Sequence, residues 1–224
     1  MRIKKVNKKY KLKVVFSCFL LLMSAGVFAQ DKSNVKALNK VSKLAKQMFV
    51  DMNNRDYDAI LDMTHPKVFD IASREQMKTF FKGAFEGNEQ FTIDIPKVIP
   101  EYKISKIFNN EKDSLEYAFV SYHLNTEMTF HNQEFDKEAQ KMMISMMEAK
   151  GMKVEFISKN SMNVLMKDRI TILLRDDSTE NKWVMMNYDP DSPLSYQILP
   201  TSLLEIAKEY RQSLMLESKK KSEN

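Results

Sequence analysis

Asp168 is the acid best placed to do chemistry in this sequence. In strict alternation from Met162, one strand face reads Met162, Val164, Met166, Asp168, Ile170, Ile172, Leu174. A carboxylate in the middle of an apolar face is costly unless it is paired or wetted. If a cavity lies on that face, Asp168 would be a general base or a ligand anchor. The competing reading is a bulge at Lys167-Asp168-Arg169 that turns the acid to solvent, because three consecutive charges often mark such a break. His65, in the turn before Pro66, is the second candidate. It would carry a proton near neutral pH, or simply cap the helix that precedes it. In an isomerase or cyclase chemistry, Asp168 would be the base, and a Tyr or His65 would donate a proton to the developing oxyanion. His123 shares a strand face with Ser121, Asn125 and Glu127, which reads as a solvated face or half of a homodimer interface. His131 sits at a strand end and carries little signal.

Other chemistries find less support. No two of the three histidines stand at metal-ligand spacing, so no zinc site is predicted. Met142, Met143, Met146, Met147 and Met152 cluster on or just after one helix. Thioethers can hold Cu(I), but pairs at i,i+4 also make an adaptable apolar stripe for a core or a partner surface. No His or Cys interleaves with them, and the stripe is the expectation. The sequence has no G-x-S-x-G, no G-x-G-x-x-G and no phosphate-binding loop, so no nucleophile elbow, nucleotide or other cofactor is expected.

The amino terminus bounds the rest. Arg2, Lys4, Lys5, Lys8, Lys9, Lys11 and Lys13 precede a run that is almost continuously apolar from Val14 to Met23, and Val27-Phe28-Ala29 ends it. A basic head, a short apolar run and an A-x-A-like end make a secretory signal peptide over residues 1–29. The run is well short of the roughly 20 residues that span a bilayer. Cys18 lies inside it and does not end it, which argues against a lipid anchor. Cleavage near Ala29 would remove all seven of those basic charges and the single cysteine. The chain from Gln30 would hold 28 Lys+Arg against 30 Asp+Glu. The net charge of +5 therefore belongs to the leader, and nucleic-acid binding loses its support. The expectation is a periplasmic or secreted protein without a stable membrane span.

The elements that must position Asp168 and His65 can be read from periodicity. Val35, Leu38, Val41, Leu44, Ala45, Met48, Phe49 and Met52 mark a helix face ending near Asn53-Asn54. Asp56 caps a short second helix. Lys67 to Ile71 reads as a brief extended piece. Ser73 with Gln76 forms a capping box for a third helix that stops at Gly87. The period then changes to two. Strands are predicted at Phe91–Ile95, within Lys97–Phe108, over Leu115–Phe130, Met162–Leu174 and Trp183–Tyr188. A helical insertion spans Asp136 to Lys150, and a last amphipathic helix follows Pro200. The order predicts an α+β domain over residues 30–217, with N-terminal helices packed on one side of a curved antiparallel sheet. Residues 218–224 read as a disordered charged tail.

The segment Asp56-Tyr57-Asp58-Ala59-Ile60-Leu61-Asp62-Met63-Thr64-His65-Pro66-Lys67-Val68, with Lys182-Trp183-Val184 after a polar hairpin, resembles exported members of the nuclear transport factor two-like superfamily. That superfamily includes SnoaL-like cyclases and ketosteroid isomerase. The resemblance covers roughly Val35 to Asp189. The helix from Asp136 to Lys150 and the residues after Pro190 depart from the usual pattern. It implies a cone-like fold with a cavity at the open end, which members use for catalysis, for binding, or not at all. With apolar Tyr102, Tyr122, Met166 and Tyr188 expected to line it, the leading expectation is a non-catalytic binding or accessory module for an apolar small molecule or a protein partner. The isomerase or cyclase stands as the alternative.

Overall fold

The computed structural model describes residues 35–110, 114–190 and 192–222. The predicted leader, with Cys18, lies outside the described residues. The described residues from 41 onward cluster as one compact unit, and the described residues 35–40, which are helical, fall outside it.

Helix α1 (residues 35–54) buries Val41, Ala45, Met48 and Phe49, the four- and three-residue steps of one face. It stops at Arg55, which takes a left-handed φ of 58° and turns its guanidinium back onto the Met52 carbonyl (2.7 Å). Helix α2 (Tyr57–Asp62) starts at Asp56, whose carboxylate accepts from the Ala59 amide at 3.0 Å. The next residues differ from expectation. Pro66–Asp70 is a 3-10 turn, not an extended piece. Proline at its first position presets helical φ, and the His65 ring accepts the Lys67 amide at 3.2 Å. Helix α3 (Arg74–Glu86) has the predicted capping box between Ser73 and Gln76. It ends at Gly87, with φ 90°, where a Cβ would stand 2.1 Å from the Phe91 carbonyl oxygen. No larger residue fits there.

Seven strands follow, β1 (Phe91–Asp94), β2 (Tyr102–Ile104), β3 (Phe108–Asn110), β4 (Leu115–Phe130), β5 (Met152–Phe156), β6 (Ser161–Arg175) and β7 (Val184–Tyr188). They form one antiparallel sheet built around the β4–β6 pair. One edge of β4 pairs in turn with β3, β2 and β1. The far edge of β6 pairs with β5 near its start and β7 near its end. Helix α4 (Lys137–Ala149), capped by Asp136, inserts between β4 and β5. Helices α5 (Pro193–Ile198) and α6 (Thr201–Ser222) close the chain. The α+β arrangement, with helices before and after an antiparallel sheet, is the predicted fold class and is consistent with a cone-like fold.

The helices do not stay on one side of the sheet. Ala118, Val120, Tyr122 and Leu173 pack against α1 and α2. Tyr117, Phe119, Ile170, Ile172 and Leu174 point the other way, against α5 and α6. Of the face of Ser121, His123, Asn125 and Glu127, expected to be solvated or to pair with a second copy, Ser121 is buried, and so are Tyr117 and Phe119 further along the same side beneath α6. His123, Asn125 and Glu127 are exposed. Phe119 is fully buried and stacks on Tyr210 with centroids 4.6 Å apart. Burying a side chain of that size stabilises the fold by about 1.5–3 kcal/mol. Helix α6 runs to Ser222, into the segment read as a charged tail. Among the described residues no helix is long and apolar enough to cross a membrane.

Candidate functional site

A break in the β4–β6 register builds the site. Tyr122 pairs with Arg169, but Leu124 pairs with Met166. Lys167 and Asp168 together therefore oppose the single residue His123, which is a bulge. Asp168 takes a left-handed φ of 52°, a conformation that Asp tolerates better than most residues. Its amide donates to His123 Nδ1 at 3.1 Å, so the histidine ring occupies the widened gap.

The bulge resets the alternation that placed Asp168 beside Met166. Met162, Val164 and Met166 face one side, and beyond the bulge that side continues as Arg169, Thr171 and Leu173. Asp168 instead joins Ile170, Ile172 and Leu174 on the side covered by α6. The bulge expected from the charge run is present, yet the acid does not reach open solvent. It is 7 % exposed and accepts a hydrogen bond from Ser218 Oγ of α6 at 3.1 Å. A groove of about 440 Å³ borders it, lined also by Tyr102, Tyr122, His123 and Glu217.

On the opposite side lies a second and more apolar cavity of about 490 Å³. Met48 and Met52 of α1, Phe81 and Phe85 of α3, Tyr122, Leu124 and Met128 of β4, and Val164 and Met166 of β6 form its walls. Met147 and Met152 reach it from α4 and β5. Phe80 also lines it and is 64 % exposed, which puts that ring at the mouth. Its polar atoms are mostly engaged by the protein. Thr171 Oγ1 donates to Asn187 Oδ1 at 2.9 Å, and Thr126 Oγ1 donates to the Asp94 carbonyl at 3.0 Å. A few-hundred-Å³ void with apolar walls and sparse polar groups is the physical form of a small-molecule site.

The residues singled out in the sequence separate. Tyr122 and Met166 line the apolar cavity. Tyr102 lines the Asp168 groove, with its ring 4.9 Å from that of Phe49. Tyr188 lines neither; it is buried in the core against α5 and α6, where desolvation holds its hydroxyl above the ordinary tyrosine range. His65 lies outside both cavities, 1 % exposed. It caps the 3-10 turn that follows it and not the helix before it. The methionine stripe divides as well. Met143 and Met147 pack inward against Val154, Met162 and Val164, whereas Met142 and Met146 are exposed. Arg169 was hidden in the charge run. Only a register that counts two residues against His123 places it on the cavity wall. Among the described residues, no group of three or more His, Cys, Asp or Glu side chains could hold a metal ion. No protein-family model, curated protein or solved structure matches the chain.

Burial holds the His65 ring below its ordinary range, partly offset by the Asp176 charge. The folded state thus disfavours the protonated ring that the unfolded chain accepts below about pH 6.5. Stability should be complete above that value and fall as pH drops beneath it. Urea melts at pH 7.5 and 5.5 should show the loss, and His65→Asn, which keeps a cap acceptor, should shrink the difference. An unchanged difference would assign the pH dependence to other groups.

Proposed function

We propose that this is an exported, non-catalytic binding protein that holds an apolar small molecule in the cavity between α1, α3 and the sheet. The observation that carries this reading is a solvent-reachable cavity of about 490 Å³ whose walls are mainly apolar. Apolar surface left open in this way is a place for an apolar ligand to bury area. Methionine supplies much of the lining, and its unbranched, polarizable side chain adapts to ligands of irregular shape. The scaffold is read as one of the nuclear transport factor two-like kind, on the strength of the α2-to-His65-Pro66 segment and the helix-then-sheet order. Export rests on the basic head, short apolar run and Ala29 of the leader.

A second reading has one specific observation in its favour. The Asp168 groove gathers a mostly buried carboxylate, Tyr102, Tyr122 and His123. An acid and phenols around one space are the parts an isomerase or cyclase needs for proton transfer. Against it, Asp168 already accepts from Ser218, and its backbone amide is committed to His123.

Three measurements bear on these readings. A thermal-shift screen with steroids, lipids, aromatic acids and peptides should find one class that raises Tm. At about 100 times Kd the gain is about 2.7 kcal/mol, or roughly 5–10 °C for a chain of this size. Met166→Trp, which fills the cavity, should abolish that shift, and a screen in which no class stabilises the protein would sink the binding reading. For export, a host with a general secretory system should release a product whose amino-terminal sequence begins at Gln30; a product still beginning at Met1 would refute it. For the second reading, Asp168→Asn tolerates the left-handed φ and should remove any double-bond isomerisation of a ketosteroid by at least about a hundredfold. Turnover that survives the change rules Asp168 out as the base.

A further inference from the structure

The cavity wall contains a cation that the protein does not neutralise. Arg169 stands just past the bulge on the cavity side of β6, paired across to Tyr122. It is partly buried, and among the described residues its guanidinium has no hydrogen bond, ion pair or ring contact. A guanidinium keeps its charge at any physiological pH and offers five N–H donors in a planar fork. None of the Arg169 nitrogens is buried without a partner, so water meets them in the free protein, and a ligand carboxylate would take two of the donors at once. Asp189, the acid on the same wall, has interactions of its own. From Arg169 the wall runs back along β6 through Met166 to Val164, roughly 15 Å of strand. Met152 and Met147 continue the apolar surface there. The stretch of wall at Arg169 therefore suits an anion, and the stretch from Met166 toward Met147 suits a flexible hydrocarbon.

We infer that the ligand is an amphipathic carboxylate, a medium-length alkyl chain ending in one acid group, with the carboxylate on Arg169 and the chain along Met166 and Val164 toward Met147. This rests on the binding reading of the same cavity and names the ligand class. It makes a demand that a merely apolar cavity does not. Water solvates a carboxylate far better than a hydroxyl or an ester, so an apolar cavity without a cation would prefer the neutral compounds.

The test is calorimetric titration of the full protein at pH 7.5 with decanoate, decanol and methyl decanoate. Decanoate should bind about tenfold to a hundredfold more tightly than decanol. Arg169→Met should bring decanoate down to the level of decanol or below, and Arg169→Lys should keep part of the preference. Equal or tighter binding of decanol to the unaltered protein overturns the carboxylate assignment and leaves the cavity a binding site. Binding by none of the three compounds, together with a thermal-shift screen in which no class stabilises the protein, overturns both. If Arg169→Met does not fold, the acid-to-alcohol ratio of the unaltered protein and of Arg169→Lys decides the matter.

Discussion

The pairing of β4 with β6 is the constraint on which the other elements depend. Both strands are long, and they run antiparallel from Glu116 opposite Arg175 to Thr129 opposite Ser161. Each end is tied by side chains as well as backbone. Arg175 grips the Glu116 carboxylate in a fork at 2.8–3.0 Å, and the Thr129 and Ser161 hydroxyls meet at 2.8 Å. Between those ties the register shifts once, where Lys167 and Asp168 share His123. Side chains alternate with a period of two, so a shift of one residue exchanges faces for everything beyond it. That exchange puts Ile170, Ile172 and Leu174 under α6 while Arg169 and Thr171 stay with Met166 on the cavity side.

The cavity follows from how the covering helices divide that sheet. Helices α1 and α2 bury the side chains around Val120 and Leu173. The α4 insertion closes a separate apolar cluster around Val154, Met162 and Val164. The space lies along the wall that joins these two clusters, and α3 contributes a row of phenylalanines to it. Much of its lining is methionine and aromatic carbon, which would meet a ligand through dispersion and area burial and demand little directional fit. Specificity must then come from the few polar atoms. Thr126 and Thr171 spend their hydroxyls on the protein, and Arg169 adds the one cationic side chain of the lining among the described residues.

Asp168 and His65 illustrate how burial can look like function. Each is a titratable side chain placed in the interior, and each is engaged by a bond within the protein, tertiary for Asp168 and local for His65. Ser218 donates to the Asp168 carboxylate, and the ring of His65 receives the Lys67 amide. For His65 that bond, with burial of the ring, accounts for its conservation of a neutral form in the fold without any catalytic demand. For Asp168 the groove at its side leaves a chemical role open to experiment, but the acid no longer shares a surface with Met166.

What the sequence determined by itself was local. The caps at Asp56 and Ser73, the stop at Gly87 and the span of β4 from Leu115 to Phe130 were all legible, because neighbouring residues specify helix ends and strand period through short-range hydrogen bonds and sterics. The α+β class followed from their order. The tertiary structure alone decided which face each strand turned to which helix. Alternation predicts two faces but carries no signal for a bulge except a run of charges, and that run marks the place without saying which residue is displaced. The return of α6 over Tyr117 and Phe119 depends on apolar contacts between residues about 90 positions apart, which no local pattern encodes. For the same reason Asp168, legible as an odd acid on an apolar face, moved to the opposite side of the sheet, and Arg169, illegible among three charges, became the cation of the cavity wall.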